Sequence, residues 1–321
     1  MVPTALPGAS STSARRPSRR SLRSDRASRT SRSAGNGETP GPIPSVTPSR
    51  LRALAAAHDI RPKKSLGQDF LIEPALGRRI VQLADVGPGS HVLEIGAGLG
   101  SLTFELARSG AEVVAVEVDR RLAAALEEAS ANVPNIRVVV ADATKADWSR
   151  LLRRGEWVVV ANLPYNVSVP VVMRILDDEP RVRRMLVMVQ REVGERLAAG
   201  PGEPRYGAVS VRVAYRATAR VVRPVARTVF WPPPGVDSVL VAIVRRPPPV
   251  AVDEQALWRT IEVAFAQRRK TMRSALIRLG LDPDEARRTL DACGISPMER
   301  PERLDVRQFA CLAKRRRRAA R

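Results

Sequence analysis

Val92-Leu93-Glu94-Ile95-Gly96-Ala97-Gly98-Leu99-Gly100 is an aliphatic run that breaks into three glycines within five residues. It reads as a buried strand entering a glycine-rich turn that opens a helix, and such a turn lets backbone approach a ligand closely because glycine has no Cβ. The dinucleotide-binding fingerprint places its third glycine three residues after the second. Here that position is Ser101, and Gly100 comes one residue early. The spacing favours S-adenosylmethionine over a nicotinamide dinucleotide. Working outward, the next strand (112–116) is followed by Glu117, whose carboxylate can accept hydrogen bonds from both hydroxyls of a ribose. Asp142 follows the strand after that (136–140) and can take an adenine amino group. These groups all lie at the carboxyl ends of strands, where open α/β sheets place their ligands.

The surrounding chain supports such a sheet. Short β-branched runs at 91–95, 112–116, 136–140 and 157–161 alternate with amphipathic stretches at 102–108, 121–130, 170–176 and 191–199, the pattern of a parallel α/β fold. Segments 186–190, 209–213 and 238–244 read as later strands of the same sheet. Proline-rich breaks at 232–234 and 247–249 punctuate the chain, and beyond them the pattern is helical at 254–266, 270–279 and 283–293. The expected organisation is a basic N-terminal arm (1–48), an α/β domain (49–246), a small helical domain (247–312) and a basic tail (313–321).

Composition narrows the partner. The 321 residues are 44% hydrophobic, enough for a full core, and carry a formal charge of +21, which points to a polyanion and first to nucleic acid. No run reaches the roughly twenty apolar residues that span a bilayer, and the N-terminus lacks a secretory apolar stretch. Cys293, Cys311, His58 and His91 are the whole stock of soft ligands, too few for a zinc or iron–sulfur site. A reduced, metal-free, cytoplasmic protein is expected. The Arg- and Ser-rich arm lacks the apolar side chains that repay ordering, and reads as a disordered tail. Its composition is also that of an organellar transit peptide.

The fourth strand ends in Asn162-Leu163-Pro164-Tyr165-Asn166. An adenine amino nitrogen is a poor nucleophile because its lone pair is delocalised into the ring. The side-chain oxygen of Asn162 and the carbonyl of Leu163 can each accept one of its N–H groups and draw the lone pair out of conjugation. Pro164 fixes the turn that aims both acceptors, and Tyr165 can stack on an extruded base and face a sulfonium methyl. The methylated nitrogen sheds its proton readily, so no strong base is needed. Asn and Pro also make ordinary strand-to-loop turns; the place of this turn, one strand beyond a cofactor loop, favours the chemical reading.

With these residues in hand, the chain resembles the ribosomal RNA adenine dimethyltransferases, most closely the small-subunit (16S) family. The likeness runs from about Leu51 to Phe309 and rests on Lys63-Lys64-Ser65-Leu66-Gly67-Gln68-Asp69-Phe70-Leu71, the glycine loop, Asn162-Leu163-Pro164-Tyr165-Asn166-Val167-Ser168, Phe230-Trp231-Pro232-Pro233-Pro234-Gly235-Val236-Asp237-Ser238 and Phe265-Ala266-Gln267-Arg268-Arg269-Lys270-Thr271. The resemblance implies a Rossmann-like class I S-adenosylmethionine-dependent methyltransferase domain followed by a small helical domain that grips RNA. It implies dimethylation of two adjacent adenosines near the 3′ end of 16S rRNA, within an immature 30S subunit, by a monomer. Asp69 and Leu71 carry over as cofactor contacts beside Gly96, Gly98, Glu117, Asp142 and Asn162. Phe230 carries over as an aromatic stacking on the target base, although core packing explains it equally. The family usually has Asn or His where this chain has Asp69; an ionised acid accepts but cannot donate a hydrogen bond, while a backbone contact there is unaffected.

Arg268, Arg269, Lys270 and Arg273 fall on an expected helical stretch and can contact phosphates, with Arg278 joining them if the helix continues. Arg61, Lys63 and Lys64 can contact the backbone flanking the target. Rival readings are the macrolide-resistance branch acting on large-subunit RNA, a non-catalytic nucleic-acid-binding factor of the same fold such as the mitochondrial transcription factors, and a DNA adenine methyltransferase. The last generally carries an acid in place of Asn162.

Overall fold

The computed structural model describes residues 43–44, 46–63, 67–153 and 155–319. The arm expected at 1–48 lies almost wholly outside them, as do Lys64, the last two residues of the basic tail and the tail's side chains from Arg317 onward.

In chain order the elements are α1 (Pro48–Ala57), β1 (Phe70–Leu71), α2 (Pro74–Ala84), β2 (His91–Ile95), α3 (Ser101–Arg108), β3 (Glu112–Glu117) and α4 (Arg120–Ala129). Then come β4 (Ile136–Val140), α5 (Trp148–Leu151), β5 (Trp157–Asn162), α6 (Ser168–Asp178), β6 (Val182–Gln190), α7 (Arg191–Ala198), α8 (Ala208–Arg216) and β7 (Ala217–Val225). The chain closes with β8 (Phe230–Trp231), β9 (Ser238–Arg245), α9 (Glu254–Ala266), α10 (Met272–Arg278), α11 (Pro283–Asp291) and α12 (Val306–Ala319). Seven strands form one sheet in the order β4-β3-β2-β5-β6-β9-β7.

Successive residues of the central strands point to opposite faces, and both faces are covered. Val92, Val158 and Val160 enter one apolar cluster with Leu51, Ile80 and Phe104 from the helices on that side. Leu93, Val159 and Ala161 enter a second with Val171, Ile175 and Leu197. The four pairings among β4, β3, β2, β5 and β6 are parallel, as expected. The sheet does not stay parallel, however: β9 lies antiparallel between β6 and β7.

Segment 209–213, expected as a strand, is part of helix α8. Its alternating valines imitate a strand because the helix lies between two cores. Val209 and Val213, four apart, pack toward the second cluster. Val211 and Tyr215, also four apart, pack into a third. Two helical stripes offset by two residues produce a period of two. The strand that does follow is β7, an edge strand whose Arg220, Arg223 and Pro224 hid it; a sheet edge tolerates a proline.

The third cluster joins α9, α10, α11 and α12 through Leu257, Ile261, Leu276, Leu290 and Phe309, and also takes Tyr206, Val211 and Tyr215. Tyr206 donates its hydroxyl to the Leu304 carbonyl at 2.8 Å. All described residues fall in one compact unit, 40–321. Cys293 and Cys311 form a disulfide with Cα atoms 5.9 Å apart, so the reduced pair expected from composition is replaced by a bridge from just after α11 to α12. No helix among the described residues is long and apolar enough to cross a membrane.

Candidate active site

A cavity of about 250 Å³ opens at the carboxyl ends of β2 to β5 and is lined also by residues 67–71. Gly96, Gly98 and Gly100 all have left-handed backbone, with φ of 75°, 56° and 85°. A Cβ on Gly96 would lie 3.3 Å from the Pro164 ring, and one on Gly98 would lie 3.1 Å from the Phe70 ring. The loop therefore packs directly against the two segments that flank it. Its amides are turned inward: Gly96 donates to the Val116 carbonyl at 2.8 Å and Gly98 to Oε2 of Glu117 at 2.9 Å. With these donors engaged, the loop offers close backbone approach more than a pyrophosphate cradle.

Glu117 is 6% exposed and lines the cavity. Burial pushes its carboxyl above the usual range, while backbone N–H groups of Asp119, Gly98 and Val118 pull the other way. The carboxylate thereby locks the β2 loop to the β3 loop. Asp142 is more open: the Thr144 hydroxyl and amide, both bonded to Oδ1 at 2.7 and 2.9 Å, hold its carboxyl below the usual range. Glu94, on β2, also lines the cavity and is 2% exposed. Its Oε2 has no hydrogen-bond partner among the described residues, and burial pushes its carboxyl up to about 8. Sequence reading passed over Glu94 because it stands inside an apolar strand.

Segment 67–71 is held from two sides. Lys63 Nζ and Gln68 Nε2 both donate to Oδ2 of Asp119, at 2.7 and 3.3 Å, while the other oxygen caps α4 at the Arg121 amide. On the far side β1 pairs with β8, Leu71 opposite Phe230 and Phe70 opposite Trp231. Phe230 is 2% exposed and belongs to the first core cluster, so it lies outside the cavity and anchors the segment above it. Trp231, half-buried, is the aromatic toward the outside, with the Arg52 guanidinium 5.8 Å from its ring centre.

The Asn-Leu-Pro-Tyr box is braced at every residue. Asn162 and Pro164 line the cavity, and Asn162 donates Nδ2–H to the backbone carbonyl of Asp69 at 3.1 Å. Leu163 is buried and donates its amide to Met188 O at 3.1 Å. The Pro164 carbonyl accepts from the Val167 amide, and the Tyr165 carbonyl accepts from the Ser168 hydroxyl, each at 3.1 Å. The Tyr165 hydroxyl lies 2.7 Å from that of Ser238. Tyr165 does not line the cavity; it is half-buried beside it, and burial pushes its phenol above the usual range.

Of the cofactor residues expected from sequence, the structure gathers Asp69, Leu71, Gly96, Gly98, Glu117, Asp142 and Asn162 around one cavity. The basic residues are elsewhere: Arg268, Arg269 and Lys270, with Gln267 before them, form the exposed turn between α9 and α10, and the helix expected from 270 begins only at Met272, capped by Thr271. Arg273 and Arg278 reach backbone carbonyls of Pro283 and Val263 at 3.4 and 2.8 Å.

The sheet order and a cavity at its carboxyl edge define a class I methyltransferase fold. Solved structures agree. One similar structure is a dimethyladenosine transferase from Plasmodium falciparum, with TM-score 0.66 and 23% identity over 76% of this chain and 95% of that one. Another is the 23S rRNA methyltransferase ErmE, with TM-score 0.61 and 26% identity over 77% and 98%. The profile of the family described as ribosomal RNA adenine dimethylase matches residues 60–315, and the chain belongs to that family. The sequence is 46% identical over 277 residues to the ribosomal RNA small subunit methyltransferase A of Thermobifida fusca, covering 84% of this chain and 96% of the relative. It is 43% identical over 280 residues to the protein of the same name from Moorella thermoacetica, covering 84% and 97%.

Proposed function

We propose that this protein uses S-adenosylmethionine to dimethylate the 6-amino groups of two adjacent adenosines near the 3′ end of small-subunit rRNA. The observation that carries the chemistry is the orientation of Asn162. Its NH₂ is committed to the Asp69 carbonyl, which leaves the side-chain oxygen as the acceptor available at the cavity. An acceptor at a strand end beside a cofactor cavity is what an exocyclic amine needs.

The residues fit the cofactor. The glycine loop admits close approach, Glu117 stands where ribose hydroxyls are expected, and Asp142 stands one strand further for the adenine amine. Bound there, the cofactor supplies an electrophilic methyl group on a sulfonium. Asn162 Oδ1 and the Leu163 carbonyl accept the two N–H groups of the target amine and localise its lone pair, and fixed acceptors of this kind act without reorganisation. Tyr165 presents its ring to the base. The proton lost after methylation goes to solvent, with no base assigned.

The small-subunit target is supported by the names and identities of the relatives. The basic turn 267–270 and the helices behind it would hold RNA phosphates in a cytoplasmic, immature 30S particle, with one copy of the chain acting alone. The test is in vitro methylation of undermethylated small and large subunits with labelled cofactor, followed by mapping of the modified nucleotide. Label on paired adenosines near the 16S 3′ end is expected; label confined to 23S rRNA, or none, overturns the reading.

A further inference from the structure

We infer that Ser238 is a positioning residue for methyl transfer: its hydroxyl holds the Tyr165 ring in the orientation that receives the target base. The inference deepens the proposed function and rests on it.

The two ends of this contact differ in rigidity. Tyr165 sits in the turn after β5, where it is half-buried and belongs to neither a helix nor a strand. Ser238 is the first residue of β9 and fully buried, with strands on both sides: Gln190 of β6 is its register partner on one flank and Val225 of β7 on the other. The residue before it is fixed as well. The Asp237 carbonyl accepts from the Arg191 amide at 3.0 Å, and its carboxylate takes the Arg227 amide at 3.2 Å and the Arg191 guanidinium at 3.3 Å.

The 2.7 Å contact between the two hydroxyls therefore ties a loop aromatic, 73 residues away in sequence, to a buried strand residue paired on both sides. A tyrosine ring has two torsions to fix, and a hydrogen bond at its far end fixes both before the base arrives. Asn162 is steadied in the same way by the Asp69 carbonyl from the other flank. Acceptor and stacking surface thus each have their own tether, and the Val-Asp-Ser segment acquires a task at the site without lining its cavity.

Ser238→Ala removes one oxygen from a buried position, and Tyr165→Phe removes the other partner while keeping the ring. Each is expected to lower kcat about three- to tenfold, the worth of one net hydrogen bond. Cofactor affinity measured by calorimetry should stay within about twofold of the parent, because neither hydroxyl reaches the cavity. The double variant should be no slower than the slower single one, since both remove the same bond. Parental kcat in Ser238→Ala, or losses that multiply in the double variant, overturns the inference. Should Ser238→Ala fail to fold, a Tyr165→Phe protein with parental kcat is sufficient to overturn it. A parent that methylates small-subunit rRNA while Ser238→Ala matches it removes this inference alone; a parent that does not methylate removes the proposed function.

Discussion

The amide of Asn162 and the backbone carbonyl of Asp69 are joined by a 3.1 Å hydrogen bond across 93 residues of sequence. The bond links the end of β5 to the segment along the cavity, and its acceptor is main chain. This contact therefore does not depend on which side chain stands at position 69.

Two substitutions separate the halves of this contact. On the proposed mechanism Asn162→Ala removes the acceptor for the target amine, and it should cut kcat by a factor on the order of a hundred while changing cofactor affinity little. Asp69→Asn leaves the carbonyl in place and should keep turnover within about threefold of the parent. Steady-state kinetics on undermethylated subunits, with cofactor binding by calorimetry, check both; a large loss in Asp69→Asn would show that the carboxylate itself works at the site.

The left-handed glycines on either side of β2 are not equivalent. A Cβ on Gly100 would sit 2.6 Å from Leu126 and 2.7 Å from Phe104, at a φ of 85°. Gly89 has a similar φ of 80° but nothing within 4 Å of its would-be Cβ. Gly89→Ala should cost about 1–2 kcal/mol for left-handed backbone alone. Gly100→Ala adds overpacking and should cost about 1–3 kcal/mol more. Urea unfolding of the two variants without cofactor measures the difference, and equal losses would mean that the Gly100 pocket relaxes.

Much of the cavity's lining was legible because its signals are local. Gly96, Glu117, Asp142 and Asn162 each follow a short apolar run, so strand period and terminal residue type were enough to find them. What escaped depends on neighbours distant in sequence. The valines of α8 read as a strand because two cores flank one helix, and β7 was lost because edge position, not composition, makes a strand with Pro224 acceptable. Ser238 was quoted within a motif, yet its partner is known only once β9 folds beside the box. Phe230 carried an open choice between stacking and packing, and its pairing with Leu71 places it in the core.

Glu94 gives a pH signature. Its carboxyl is pushed from an ordinary 4.5 to about 8 by burial, so between these values the folded protein holds a proton that the unfolded chain has lost. The contribution is whole below pH 4.5 and declines as pH rises toward 8, because the native state binds more protons. Glu94→Gln, which keeps the shape and cannot ionise, should raise the Tm of the cofactor-free protein above the parent at pH 8 and above. The gap should close toward pH 5, and a gap independent of pH would contradict the buried, protonated Glu94.

The bridge between Cys293 and Cys311 closes a loop of 18 residues from just after α11 into α12. In the chain-entropy account such a closure contributes about 3 kcal/mol. Adding reductant should lower the unfolding midpoint of the parent and leave a Cys293→Ser/Cys311→Ser variant unmoved. Identical midpoints with and without reductant, in protein whose thiols have been counted in both states, would show that packing in the third core holds this region without help.

RNA affinity should divide unevenly over the basic turn. Arg268 donates to the Pro204 carbonyl at 3.1 Å and lies 3.8 Å from Glu302, so part of its task is to join the turn to the chain before α8. Arg269 and Lys270 are exposed and make no ion pair among the described residues. Phosphate binding releases condensed counterions, and each lost contact flattens the dependence of log affinity on log salt by about 0.7–0.9. Arg269→Ala/Lys270→Ala should therefore reduce that slope by about 1.4–1.8 with no change in Tm. Arg268→Ala should lower both the slope and the Tm, because it removes an intramolecular bond as well as a charge. Filter binding to small-subunit rRNA over a salt series, beside thermal unfolding, reads both quantities, and an unchanged slope in the double variant would move the RNA contact away from this turn.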